Sequence, residues 1–301
     1  MSWVAIALIG TALFGLVSVL DKRVLMNHVP SLPACYFVLA LLQVPMAIGA
    51  SMVQPWDSGA STEAIIAAII TGIFWGGGIL LLFYGLKELE VSQVVPIFHT
   101  FPVVTAILAV LFLGEELLVV HWLGIVAVVI GAGSIVLGRG RTSAPDRKYL
   151  VCALVFLGSL FMGAATATNK LALEEMPLWN VFALRQAMVG VVVILPSLRP
   201  GIVSQVRRQL ADRQGMAILV FTEGALVFVV HYLILVALDR GSASVVATLV
   251  GTRPFFVLVY SSLLSTPLWR MLDEPLSRDT LALKFASTAM IVGGVSVLTL
   301  L

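Results

Sequence analysis

Charge is scarce in this chain of 301 residues: Asp, Glu, Lys and Arg make up 11% of it, and the net charge is +2. The charges fall in short turns and form no single basic patch, so nucleic-acid binding is excluded as a function class. Cysteine is nearly absent: Cys35 and Cys152 are isolated, which makes neither a disulfide framework nor a metal site, and both read as packing residues. No G-x-x-x-x-G-K-[ST] sequence occurs, so ATP is not a direct energy source. Neither H-E-x-x-H nor a paired-aspartate motif is present, which removes the usual clusters of a membrane-embedded enzyme. No cofactor is expected.

Apolar residues are abundant instead. Hydrophobic residues make up 60% of the chain, and the mean hydropathy is +1.07, far from soluble domains. Apolar runs of about 20 residues cross a hydrocarbon core of about 30 Å as helices. Ten such runs are read, at about 3–20, 34–53, 64–86, 91–113, 118–137, 149–169, 178–198, 215–238, 243–266 and 280–301. The expected fold class is an all-α integral membrane protein with ten transmembrane helices. Only Met1 and Ser2 precede the first run and Lys22 and Arg23 follow it, so it reads as a retained helix rather than a cleaved signal.

The chain also repeats itself. Leu13-Phe14-Gly15 through Asp21-Lys22 to Leu25 returns 148 positions later as Phe161-Met162-Gly163 through Asn169-Lys170 to Leu173. Ser92, Thr100 and Pro102 return as Ser244, Thr252 and Pro254, and Leu113-Gly114-Glu115 as Leu272-Asp273-Glu274. A duplicated membrane chain points to a transporter of two halves around a central path. The first repeat is read over 1–140, a glycine-, proline- and charge-rich linker over 141–148, and the second repeat over 149–301. Five helices per half is an odd number, so the second half enters the membrane upside down.

Turns after odd-numbered helices hold most of the Lys and Arg; those after even-numbered helices hold only Lys170 and Arg240. By the positive-inside rule the odd turns are cytoplasmic and both termini lie outside. The turn over 54–63 has no Lys or Arg, whereas its counterpart between helices 7 and 8 has Arg199, Arg207, Arg208 and Arg213.

These residues resemble the drug/metabolite transporter superfamily, specifically its ten-helix EamA-type members. The resemblance is carried in the first half by Gly15 with Lys22, Pro96 to Pro102, Gly114-Glu115 and Trp122-Leu123-Gly124. In the second half it is carried by Gly163 with Lys170, Pro177 followed by Arg185, Ser244 to Pro254, Glu274 and Gly293-Gly294. It implies export of amino acids, other metabolites or drugs through a cavity between the halves. Two departures stand out: Leu41 occupies the position equivalent to Arg185, and the longer spacing from Pro254 to Glu274 leaves Leu268 to Leu272 as an extra amphipathic turn.

Ionisable groups inside the bilayer cost about 2.5–3.5 kcal/mol each on insertion scales and usually face a cavity. Glu223 and His231 lie two turns apart on nearly one face of helix 8. A carboxyl in apolar surroundings holds its proton more tightly, the property a proton-coupled carrier uses; the alternative is that Glu223 only neutralises Arg185 or Arg253. Arg185 either forks onto a substrate carboxylate or phosphate or snorkels to a headgroup. Arg253 is deeper, which favours a cavity role. His99, Pro96 and Pro102 share one helix, and Pro254 recurs in helix 9; these prolines free backbone carbonyls and kink the path. Trp75, Tyr84 and Trp179 either line the cavity or anchor segments at the interface. Gly76-Gly77-Gly78 reads as a close helix contact, and Glu115 and Glu274 as helix caps or gates.

The sequence therefore reads as a secondary transporter, an exporter of a small metabolite such as an amino acid, working by alternating access in the lipid bilayer of the cell membrane. Multidrug efflux and a passive channel are the alternatives. The two arginines lean toward an anionic or zwitterionic substrate. Proton coupling is expected through Glu223, and nothing in the sequence speaks to oligomeric state.

Overall fold

A computed structural model describes residues 2–114 and 145–264 apart from Ser58, with scattered positions within 116–130 and 285–293. Among the described residues the chain is helical throughout, and eight helices are long and apolar enough to cross a membrane. The expected spans at 118–137 and 280–301, the linker up to Ala144, Glu115, Glu274 and the Leu268 to Leu272 turn lie largely or wholly outside the described residues.

Helix α1 (Trp3–Asn27) is followed by α2 (Leu32–Val53) and α3 (Thr62–Glu88). Each starts on a serine whose hydroxyl accepts from a backbone N–H of the first turn: Ser2, Ser31 and Ser61. The fourth span is two half-helices, α4 (Val91–Phe98) and α5 (Phe101–Phe112). In the second half α6 (Pro145–Glu175) and α7 (Leu178–Ile194) precede a short helix, α8 (Ile202–Ala211). The next span, Arg213–Arg240, is α9. The last two elements are α10 (Ala243–Val250) and α11 (Arg253–Leu264).

Three of these differ from the sequence reading. Helix α1 runs through Asp21 and Lys22 to Asn27 rather than ending near residue 20, because the lysine has carbonyls to reach inside the bundle. Helix α6 begins at Pro145, inside the expected linker. The connection between the spans Leu178–Ser197 and Arg213–Arg240 folds into α8 rather than a plain turn.

Two pairs of residues that correspond in the sequence make similar contacts. Lys22 Nζ donates to the carbonyls of Leu86 and Leu89 at 2.6 and 2.7 Å, and Lys170 Nζ donates to the carbonyl of Leu238 at 3.0 Å. Each lysine thus closes the end of a helix whose last carbonyls have no helical partner. Gly15 and Gly163 do equivalent work. A Cβ on Gly15 would lie 2.7 Å from Phe256 Cβ, and one on Gly163 would lie 2.5 Å from Val104 Cβ. Without side chains at these positions, α1 meets α11 of the other half and α6 meets α5 of the other half. The most extensive packing also runs between halves, α3 on α6 and α7 and α2 on α7, so the two repeats share one core.

Candidate functional site

The spans Gln93–Phe112 and Ala243–Ser261 are broken at matching points. Helix α4 ends at Phe98 and α5 starts at Phe101 with Pro102; α10 ends at Val250 and α11 starts at Arg253 with Pro254. The interruptions are His99-Thr100 and Gly251-Thr252. Thr100 Oγ1 donates to the carbonyl of Ile97 at 2.9 Å, and Thr252 Oγ1 donates to that of Leu249 at 2.7 Å. Each hydroxyl satisfies a carbonyl beside the break, and each break presents the first residue of its second half-helix to the bundle interior. In one half that residue is Phe101; in the other it is Arg253.

Arg253 is only 3% exposed. Its Nε donates to Ser18 Oγ at 2.6 Å, and its guanidinium carbon stands 3.8 Å from the Phe14 ring centroid. It faces two carboxyls, Asp21 of α1 and Glu223 of α9, which are 2% and 6% exposed and line the same cavity as the arginine. Glu223 lies in a π-helical turn, Val220–Leu226, which interrupts α9 and sets the register of its carboxyl against α1. Such turns recur at functional sites.

A cleft runs beside these groups. One part, about 30 Å³, is lined by Phe14, Asp21, Gln43, Trp75, Phe98, Met162, Glu223, His231 and Arg253 among others. A second part, about 20 Å³, shares Phe14, Trp75, Phe98, Met162 and Arg253 and adds His99 and Thr166. Together they hold a few water molecules. The walls are mostly aromatic and apolar with a few polar groups set among them, the usual character of a small-molecule site.

Arg185 stands behind this cleft. It is fully buried with its guanidinium carbon 4.8 Å from the Trp75 ring centroid and 5.0 Å from that of Phe182. The snorkelling alternative therefore fails, because the side chain points into the bundle. Its Nε donates to Gln186 Oε1 at 3.2 Å, while Nη1 and Nη2 have no partner. Gln186 Nε2 donates to Gln43 Oε1 at 2.8 Å and lies 3.4 Å from His231 Nδ1. His231 packs edge-on to Trp75 at 5.1 Å between centroids, flanked electrostatically by both arginines. Neither Arg185 nor Arg253 forms an ion pair with Glu223 at contact distance among the described residues.

The structure thus gathers Glu223, His231, Arg253 and Trp75 on one cleft, puts His99 on its second part and Arg185 one aromatic ring away. Tyr84 lines neither part. Pro96 sits inside α4, while Pro102 and Pro254 occupy first turns of half-helices, where a missing N–H costs nothing. Gly76 and Gly77 are close contacts as read, with built Cβ atoms 2.8 Å from Val192 and 2.9 Å from Phe161. Asp21, Ser18 and Gln43 were not singled out from the sequence. The signal for Asp21 was its repeat partner Asn169, a second polar residue within an apolar helix.

The chain matches the EamA-like transporter family over residues 1–137 and 150–272. A solved crystal structure superposes over 100% of this chain and 99% of its own, with a TM-score of 0.65 and 17% identity, a likeness of fold. An uncharacterised protein of Methanocaldococcus jannaschii is 40% identical over 75 residues, 25% of this chain and 52% of its own. A Listeria innocua protein named as a candidate sugar uptake protein is 28% identical over 119 residues, 36% of this chain and 40% of its own. The chain thus spans about half the length, or less, of these curated relatives. With the family match covering most of the sequence and eight apolar helices in the fold, this is a multi-pass membrane protein, and it belongs to the EamA-like transporter family of the drug/metabolite transporter superfamily.

Proposed function

We propose that the chain is a secondary transporter that moves a small zwitterionic metabolite, such as an amino acid, out of the cell by alternating access, in exchange for protons carried by Asp21 and Glu223. The observation that carries this reading is the meeting of two buried carboxyls and one arginine on a cleft between the repeats. A substrate ammonium group suits the carboxyl pair, and a substrate carboxylate suits an arginine fork. Binding of the ammonium group and binding of a proton then compete for the same carboxyl oxygens, which is the elementary requirement for exchange.

Alternation follows from size. The cleft as it stands has room for only a few water molecules, so a metabolite enters by parting the walls. The breaks at His99-Thr100 and Gly251-Thr252 and the π turn at Glu223 are the points where the helices bend most cheaply. The inverted arrangement of the halves gives two related closures, one toward each membrane face.

Sugar carriage is the second reading. It is favoured by the ring-lined walls, with Phe14, Trp75 and Phe98 on the cleft, and by the likeness to the Listeria innocua protein. Currents from purified protein on a solid-supported membrane, elicited by a panel of amino acids and neutral sugars, separate the two. Saturable currents with amino acids only, lost in Glu223→Gln, support zwitterion–proton exchange. Currents with sugars only, unaltered by Glu223→Gln, refute it.

A further inference from the structure

We propose that the outer face of α8 is a binding site for anionic phospholipid headgroups. At about 1.5 Å per residue this ten-residue helix is too short to span a bilayer. It lies between two spans, Leu178–Ser197 and Arg213–Arg240, which end on the same membrane face. Gly201, at φ +83°, turns the chain into it. Its inner face is fastened to the first half: Val206 and Gln209 are buried, Ser31 Oγ donates to Gln205 Oε1, and Asp212, at its C-terminal end, pairs with His28 at 2.6 Å.

The outer face combines apolar and basic groups. Val203 and Leu210 are 76% and 49% exposed, and Arg207 stands between them on the same stripe, with Arg208 beside it. Gly201, Val203, Ser204, Arg207, Arg208 and Ala211 line a broad, shallow groove of about 820 Å³. Arg199 and Arg213 are exposed at either end. The one acid of the segment, Asp212, is engaged by His28 and by the N–H of Gly215. Among the described residues no carboxylate pairs with any of the four arginines. Exposed valine and leucine beside unpaired guanidinium groups match the boundary between headgroup and acyl chain. A soluble anion would use only the arginines. The equivalent connection of the first half, residues 54–61, has no Lys or Arg and no helix among its described residues.

The test attaches a fluorophore to Val203→Cys, which is specific because Cys35 and Cys152 are buried. Quenching is measured in nanodiscs containing spin-labelled phosphatidylglycerol or spin-labelled phosphatidylcholine. We expect stronger quenching by phosphatidylglycerol, weakened by about fivefold in apparent affinity for each arginine removed. Arg207→Gln with Arg208→Gln should bring the two lipids level, while Arg207→Lys with Arg208→Lys keeps most of the preference. Equal quenching by both lipids in the parent, or a preference that survives the glutamine pair, overturns the proposal. So does loss of the preference on adding excess inorganic phosphate at constant ionic strength, which would assign the arginines to a free anion.

Discussion

Replacing Arg253 with methionine keeps the side chain's length and removes its charge at the point where both halves meet. Three interactions go. The Nε bond to Ser18 is charge-assisted and worth about 1.5–3 kcal/mol. The stacking on Phe14, at 3.8 Å in a desolvated setting, is worth about 2 kcal/mol. Asp21 and Glu223 also lose the cation that faces them. Methionine recovers part of the packing, so the expected net loss is about 3–5 kcal/mol, the range for breaking a buried charge cluster by removing one partner. Unfolding in increasing dodecyl sulfate, followed by circular dichroism in mixed micelles, measures it. Asp21→Asn in the Arg253→Met background should recover at least about 1 kcal/mol, because it removes charge that no longer has a counterpart. If the two substitutions add to within about 0.5 kcal/mol, Arg253 does not stabilise the carboxyl pair and this account of the cluster is wrong.

Gly15→Ala and Gly163→Ala should each cost about 1–3 kcal/mol in the same unfolding measurement, since their new Cβ atoms meet Phe256 and Val104 below 3.0 Å; neutral behaviour at either would show that the halves do not interlock there. Lys22→Met, which loses two carbonyl contacts, should lower the midpoint more than Lys170→Met, which loses one; the reverse order counts against the helix-end role. The Asp212 carboxyl is held below the usual carboxylate range, first by the Gly215 N–H and then by His28. Its stabilising contribution is therefore full above about pH 4, the unfolded value, and is lost as pH falls through the lower folded value. Asp212→Asn should flatten the acid limb of the stability profile, and an unchanged limb would remove Asp212 from that transition.

Eight of the spans were legible because apolar runs of membrane length are a strong signal, and Gly15, Lys22, Gly163 and Lys170 because two lysines reach helix-end carbonyls and two glycines leave room for a neighbouring helix. The extent of α1 was not legible. Asp21 and Lys22 look like the start of an aqueous turn, and nothing local reveals that the lysine finds carbonyls on α3 while the aspartate finds Glu223, some 200 positions away. Glu223, His231 and Arg253 stood out because charge inside an apolar run is rare and costly. Arg185 was equally visible, but its distance from the membrane face along the helix says nothing about which way it points. Tyr84 shows the opposite limit: an aromatic at a suitable depth lies away from the cleft because its helix face does.

Counter-transport of protons through the carboxyl pair is the central claim, and it is most directly tested by proton release. Purified protein in weakly buffered detergent, with a pH indicator present, is mixed with an amino acid that elicits current. Release of close to one proton per bound substrate, abolished in Glu223→Gln and in Asp21→Asn while Arg207→Gln leaves it intact, is the predicted result. Substrate binding with no proton released, or release undiminished in both carboxyl variants, would contradict it.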